Sequence, residues 1–269
     1  MPFILYKKTK MSKNIAIVTG VSRLKGIGCA ICLELAKSGI DIFFTYWRNY
    51  DQEMPWKTAE NEPDLIQTQI RNLGVRCEKI ELDFMQESSV EILLNEVEKT
   101  LGVPSILINN ATYSTQTNLE NITAEELDKH YFVNLRTPIL LISEFIKRFK
   151  GQENGRIINL SSGQSLSFMS DEIAYSATKG AIETLTRTLS QEIAAKGITI
   201  NAVNPGLTDT DWLDETEKTV FTKRFPMGRI GQPSDAAKLI AFLVSENGAW
   251  ITGQIIHSEG GFVREKYDF

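Results

Sequence analysis

TGVSRLKGIG, residues 19–28, decides the fold. The apolar run Asn14-Ile15-Ala16-Ile17-Val18 leads into it, and CAICLELAKSG, residues 29–39, follows with helical periodicity. A strand, a glycine-rich turn and a helix in that order cradle phosphate. Glycine permits tight turning and close backbone approach, and the helix N-terminus offers free N–H groups and positive dipole. A nucleoside-triphosphate loop needs Gly-Lys-Ser/Thr, but Ile27 follows Gly26. The common dinucleotide fingerprint GxGxxG fits Gly26 and Gly28 and fails at Ile31. The loop is also basic, with Arg23 and Lys25 among its glycines.

Working outward, apolar runs recur at 14–18, 40–45, 76–82, 104–109, 155–160, 197–203 and 253–257. Helical stretches fit between them at 27–38, about 62–73, 87–101, 123–149, 173–195 and 234–245. Strands alternating with helices predict right-handed βαβ units. The expected fold is therefore α/β, a Rossmann-type doubly wound parallel sheet of about seven strands with helices on both faces. Two stretches break the rhythm. Residues 47–63, with Trp47, Pro55, Trp56 and Pro63, read as a long loop or a loop with one helical turn, either surface decoration or a cofactor lid. Residues 207–227 read as irregular. No linker divides the chain, so residues 13–269 are expected to form one domain behind a flexible lead-in, 1–12, within which Met11 is an alternative start.

At 269 residues the chain can bury a core without staples. A net charge of −5 argues against nucleic acid as the main partner but permits a local basic loop to hold a phosphate. Three cysteines, Cys29, Cys32 and Cys77, do not make a secreted disulfide framework. Cys29 and Cys32 fall on the apolar face of the first helix, which favours packing over metal or redox chemistry. No run is long enough to span a membrane, and MPFILYKKTK places its lysines after its apolar residues, unlike a signal peptide. A cytoplasmic protein with no nucleic-acid or membrane partner and no metal is expected.

YSATK, residues 175–179, carries the chemistry. Tyr175 and Lys179, four apart, share one helix face. An ammonium beside a phenol stabilises phenolate and lowers the phenol's pKa, so such a tyrosine can exchange a proton with a carbonyl or alcohol near neutral pH. Alone, the pair also fits a solvated helix surface. His130 and His257 fall in no metal-ligand cluster, and neither HExxH nor GxSxG occurs. Both histidines read as structural.

With these features the sequence resembles the short-chain dehydrogenase/reductase family over about residues 13–263, most of all its 3-oxoacyl-[acyl-carrier-protein] reductases. Thr19-Gly20 and Gly26-Ile27-Gly28 match both halves of the family's TGxxxGxG, with five residues between the halves instead of three. Asp83, followed by Phe84, matches an Asp near the adenine, and Asn109-Asn110-Ala111-Thr112 matches NNAG except at Thr112. Ser162, thirteen residues before Tyr175, matches the family serine, with Ser161 the neighbouring alternative, and Asn134 in HYFVNLRTP matches its helix asparagine. Asn204-Pro205-Gly206 and Thr210 match PGxxxT, and SEGG stands where DGG is common.

The resemblance implies hydride transfer between a nicotinamide cofactor and a ketone, a 3-oxoacyl thioester above all. Tyr175 would donate the proton, Ser162 orient the oxygen, Lys179 tune Tyr175 and bind ribose, and Asn134 hold a water of the proton relay. Gly20, Ser22, Arg23, Gly26, Ile27, Gly28, Arg48, Asp83, Phe84, Asn110, Ala111, Tyr175, Lys179, Pro205, Gly206 and Thr210 would contact the cofactor. NAD readers carry an acidic residue where Tyr46 stands here. Arg23 occupies the basic position of NADP users, so NADP(H) is expected, with Arg23 and Arg48 on the 2′-phosphate and Lys25 either helping or solvated. Trp212, Leu213 and Phe221 are candidates for setting specificity. Alternatives are reductases of sugars, steroids or xenobiotic ketones, and a catalytically silent NADP-binding sensor. Enoyl reductases of the family space Tyr and Lys more widely. Relatives assemble as homotetramers, and the same is expected here.

Overall fold

The apolar runs become seven strands of one parallel sheet in the computed structural model, which describes residues 14–54, 56, 58–149 and 154–264. The strands are β1 (Ile15–Val18), β2 (Asp41–Tyr46), β3 (Cys77–Glu81), β4 (Ile106–Asn109), β5 (Gly155–Leu160), β6 (Ile198–Asn204) and β7 (Ile255–His257). Their order is β3-β2-β1-β4-β5-β6-β7. The helices are α1 (Ile27–Lys37), α2 (Arg48–Glu53), α3 (Glu62–Arg71), α4 (Ser89–Thr100), α5 (Ala124–Tyr131), α6 (Thr137–Arg148), α7 (Ile173–Ala194), α8 (Glu215–Thr222) and α9 (Pro233–Val244).

Alternation along each strand sorts the core into two layers. Ala16, Val18, Ile42, Phe44, Ile106 and Ile108 face α1, α3 and α9. Ile15, Ile17, Phe43, Leu107, Ile157 and Ile200 face α4, α6 and α7. Both faces of the central strands are covered, which is why their sequences run continuously apolar. Cys29, Cys32 and Cys77 are buried in the first layer, and burial pushes the Cys29 and Cys77 thiols up to about 12.

Three details depart from the sequence reading. The stretch 47–63 contains α2, so its one expected helical turn is a six-residue helix. The stretch 207–227 contains α8, started by a reciprocal capping box between Asp214 and Glu217. Asp-x-x-Glu was the legible signal there. The long helix expected over 123–149 is broken by a π turn, Phe132–Arg136, between α5 and α6. The lead-in 1–12, with Met11, lies outside the described residues.

Candidate active site

The strand order reverses between β1 and β4, and the loops after these two strands meet. Gly20 has φ +73°, and a Cβ there would stand 2.6 Å from Ala111 Cα. A Cβ on Gly28 would stand 2.7 Å from the Gly20 carbonyl oxygen and 2.8 Å from Asn110 Nδ2. The glycines thus let the first loop lie against Asn110-Ala111. Asn110 Nδ2 donates to the carbonyls of Thr19 and Gly20, each at 2.8 Å. Thr19 Oγ1 accepts from the N–H groups of Asn110 and Ala111, each at 3.0 Å. The two extra loop residues fold into a turn, with Gly26 N–H donating to the Arg23 carbonyl at 3.1 Å. Gly26 then N-caps α1 without a side chain, and no acidic residue lies in the first turn. That helix end is fitted to an anion.

Beside it lies the second group of residues. Tyr175 and Lys179 stand on one face of α7, with Lys179 Nζ 5.4 Å from the centre of the Tyr175 ring. The Ser162 hydroxyl hydrogen-bonds the Tyr175 phenol and lies 3.8 Å from Met169 Sδ. Ser161 is instead buried, with no hydrogen-bond partner for its hydroxyl among the described residues, so Ser162 is the serine that meets Tyr175. Lys179 is buried, and its ammonium donates to the Leu160 carbonyl at 2.9 Å. Asn134 sits in the π turn, where one extra residue per turn frees local backbone and re-aims a side chain. Its Oδ1 accepts from Tyr113 N–H at 2.7 Å and Thr112 Oγ1 at 3.1 Å, and its Nδ2 donates to the Tyr113 carbonyl at 2.8 Å and to Thr178 Oγ1 at 3.2 Å. Thr112, the departure from NNAG, is therefore absorbed by a hydrogen bond, and it needs no left-handed backbone.

The electrostatics correct one expectation. Burial pushes the Tyr175 phenol up to about 12, offset in part by its hydrogen bond to Ser162 and raised further by Glu172. Burial lowers Lys179 to about 8. Desolvation is the largest effect on both groups, so the phenol stands above its ordinary value and not below it. Tyr175 is held as the neutral acid.

A family model described as enoyl-(acyl carrier protein) reductase matches residues 20–263. The chain belongs to the short-chain dehydrogenase/reductase family. An uncharacterized oxidoreductase of Bacillus subtilis, YjdA, is 49% identical over 94% of this chain and 98% of its own. The 3-oxoacyl-[acyl-carrier-protein] reductase FabG of Staphylococcus aureus is 32% identical over 94% and 98%. Among solved structures, a blue fluorescent protein from a metagenomic library, in complex with NADPH, superposes with a TM-score of 0.82 at 29% identity, over 95% of this chain and all of that one.

The remaining sites expected of this short-chain dehydrogenase/reductase are distributed as follows. Gly206, at φ +67°, brings the loop after β6 against Glu259, where a Cβ would stand 2.9 Å from Glu259 Cγ. The Glu of SEGG reaches Asn204 Nδ2 at 2.8 Å and Arg264 Nη2 at 2.5 Å. The Thr210 carbonyl accepts from Arg23, and Lys25 pairs with Asp211 at 2.8 Å, so the first loop and the post-β6 loop are strapped together. Asp83 caps a turn through Met85 N–H at 2.8 Å, and Phe84 is buried in the second layer of the core. His130 is buried, with its Nδ1 2.7 Å from the Glu126 carbonyl, and His257 lies 3.1 Å from Asn204, both in structural roles.

Sequence reasoning missed the partners supplied by the insertion and by β3. Arg48 is gripped by Glu81, its Nε at 2.9 Å and Nη2 at 2.5 Å from the carboxylate. Arg23 lies 4.6 Å over the Trp56 ring, near the carboxylates of Asp51 and Glu62. Asp51 is buried, accepts from Trp56 Nε1 at 3.0 Å and hydrogen-bonds Ser22. Glu62 accepts from Leu24 N–H at 2.6 Å. Tyr50 donates to the Ser114 carbonyl at 3.1 Å. The segment after β2 thus packs on the cleft and is not surface decoration.

Proposed function

We propose that the chain is an NADP(H)-dependent ketone reductase in which Tyr175 donates the proton. The observation that carries this reading is the meeting of Tyr175 and Lys179 with Ser162 and Asn134, from three separate stretches of chain, beside a helix N-terminus fitted to an anion. The open end of α1, the close-packed Gly20 and Gly28 and the loop at Pro205-Gly206 suit a dinucleotide. When bound, the nicotinamide supplies the hydride.

The chain's own residues do the rest. The neutral Tyr175 phenol gives its proton to the ketone oxygen as the C–H bond forms. Ser162 Oγ orients that oxygen. Lys179, held on Leu160, stabilises the phenolate left behind, and Asn134, linked through Thr178 to the same helix, supports the return of a proton. Positioned acids of this kind contribute roughly 10²–10⁴ in rate. The FabG relative makes a 3-oxoacyl thioester the first substrate to try, and Tyr175 and Lys179, only four residues apart, favour a ketone over an enoyl group. Trp250, 99% exposed, supports assembly into a homotetramer that would cover it.

The test is NADPH absorbance loss with a short 3-oxoacyl thioester and with simple ketones. Tyr175→Phe is expected to lower kcat by roughly 10²–10⁴ while leaving the folded state intact. Turnover surviving in that variant would remove Tyr175 from the role.

A further inference from the structure

Glu172 has no part in the mechanism above, yet it is the residue that precedes α7, three before Tyr175, and its charge acts on the Tyr175 phenol. Its backbone is fixed. It forms an isolated parallel bridge with Thr117, flanked by Thr117 N–H donating to the Asp171 carbonyl at 2.7 Å and Ile173 N–H donating to the Thr117 carbonyl at 3.1 Å. Its carboxylate turns to Ser114, whose hydroxyl lies 3.5 Å from Oε2, at the limit of a hydrogen bond. Ser114 is itself held on both backbone groups by the Tyr50 hydroxyl, at 3.1 Å and 3.3 Å. Among the described residues no ion pair to Glu172 occurs. A partly buried carboxylate with one weak partner retains unused acceptor capacity, which is costly unless a donor arrives.

We propose that Glu172, backed by Ser114 and Tyr50, forms a polar subsite beside Tyr175 that takes a hydroxyl of the substrate, one or two carbons from the ketone. Three residues of chain separate Glu172 from Tyr175, a span of at most about 11 Å, which keeps that spacing short. The subsite rests on Tyr175 being the proton donor. It also separates substrate classes, because a plain 3-oxoacyl thioester carries no donor so close to its ketone, and an anionic group there would be repelled. Nearby lies an open hollow of about 730 Å³ whose lining mixes Leu119, Met169 and Ile173 with the carboxylates of Glu120 and Asp171, room for the body of a hydroxylated ketone.

The subsite titrates. Asp171 adjoins Glu172 before α7 and Tyr175 faces it from the helix's first turn, and Tyr50 from α2 and Tyr113 after β4 stand across Ser114. Beyond Tyr113, Lys129 of α5 is paired with Glu125 and Glu126. Burial holds the Glu172 carboxyl up at about 7. Its strength as an acceptor therefore rises with pH through neutrality.

The experiment compares kcat/KM for two ketones, one with a hydroxyl one or two carbons from the carbonyl and one with methyl in its place, in the wild type, Glu172→Gln and Glu172→Ala. The wild type is expected to prefer the hydroxylated ketone by roughly tenfold or more, as a hydrogen bond to a charged group allows, and the preference is expected to grow between about pH 6 and about pH 8. Glu172→Gln is expected to shrink the preference and flatten its pH dependence, and Glu172→Ala to remove it. A merely structural role would lower both ketones together. An equal rate on both ketones in the wild type, or a ratio unchanged in Glu172→Gln, overturns the subsite while leaving the reductase standing. No NADPH consumption with either ketone overturns both.

Discussion

Lys179 is buried, with its ammonium on one carbonyl oxygen, and this has a measurable consequence for stability. Its pKa falls from 10.5 to about 8 on folding, so below about 8 the folded protein carries the full cost of the buried charge. Between about 8 and 10.5 the unfolded chain binds more protons, and this lysine's contribution to stability rises with pH. Lys179→Met is thus expected to raise stability near neutrality by roughly 2–3 kcal/mol while reducing turnover, with the stability difference shrinking toward pH 10.5. Urea unfolding of both proteins across that range checks it. A variant less stable than the wild type at neutrality would mean that the bond to Leu160 outweighs desolvation. The same residue shows what sequence conceals. The spacing of Tyr175 and Lys179 was legible, but the depth of their burial was not, and depth decides which form of the phenol prevails.

At the level of elements, legibility followed the range of the signal. The glycine loop, the strand ends and YSATK are short local patterns, and each was placed within a residue or two. The π turn left no trace, because one extra residue in a helical turn changes no composition. The packing of 47–63 was not legible either. Tyr50, Asp51, Trp56 and Glu62 find partners at Ser114, Ser22, Arg23 and Leu24, which only the assembled sheet brings near. This packing bears on cofactor choice. Arg23 faces the carboxylates of Asp51, Glu62 and Asp211, and Arg48 is gripped by Glu81, so a 2′-phosphate must draw both cations from existing partners. Arg23 is the better placed, on the loop that leads into the open end of α1. Arg23→Glu is expected to weaken NADPH by roughly tenfold or more, as loss of a charge-assisted contact implies, and NADH far less. Fluorescence titration with each cofactor measures this. Equal losses for both would confine Arg23 to strapping the loop to Thr210.

Across the whole molecule, the parallel sheet sends the loops after β1, β2, β4, β5 and β6 to one edge, and the proposed chemistry collects there. The far end of the strand order has another character. Among the described residues β7 is a three-residue strand paired on one side only, to β6, and Trp250 precedes it with 99% of its surface exposed. An indole offers roughly 200 Å² of surface, worth about 5 kcal/mol per copy if fully buried at about 25 cal/mol per Å². An open edge strand beside such a side chain is also a template for association. If copies associate through this end, Trp250→Glu is expected to lower the mass seen in light scattering while NADPH binding persists. An unchanged mass in the variant would place the contact between copies elsewhere, and a monomeric wild type would remove the homotetramer from the account altogether.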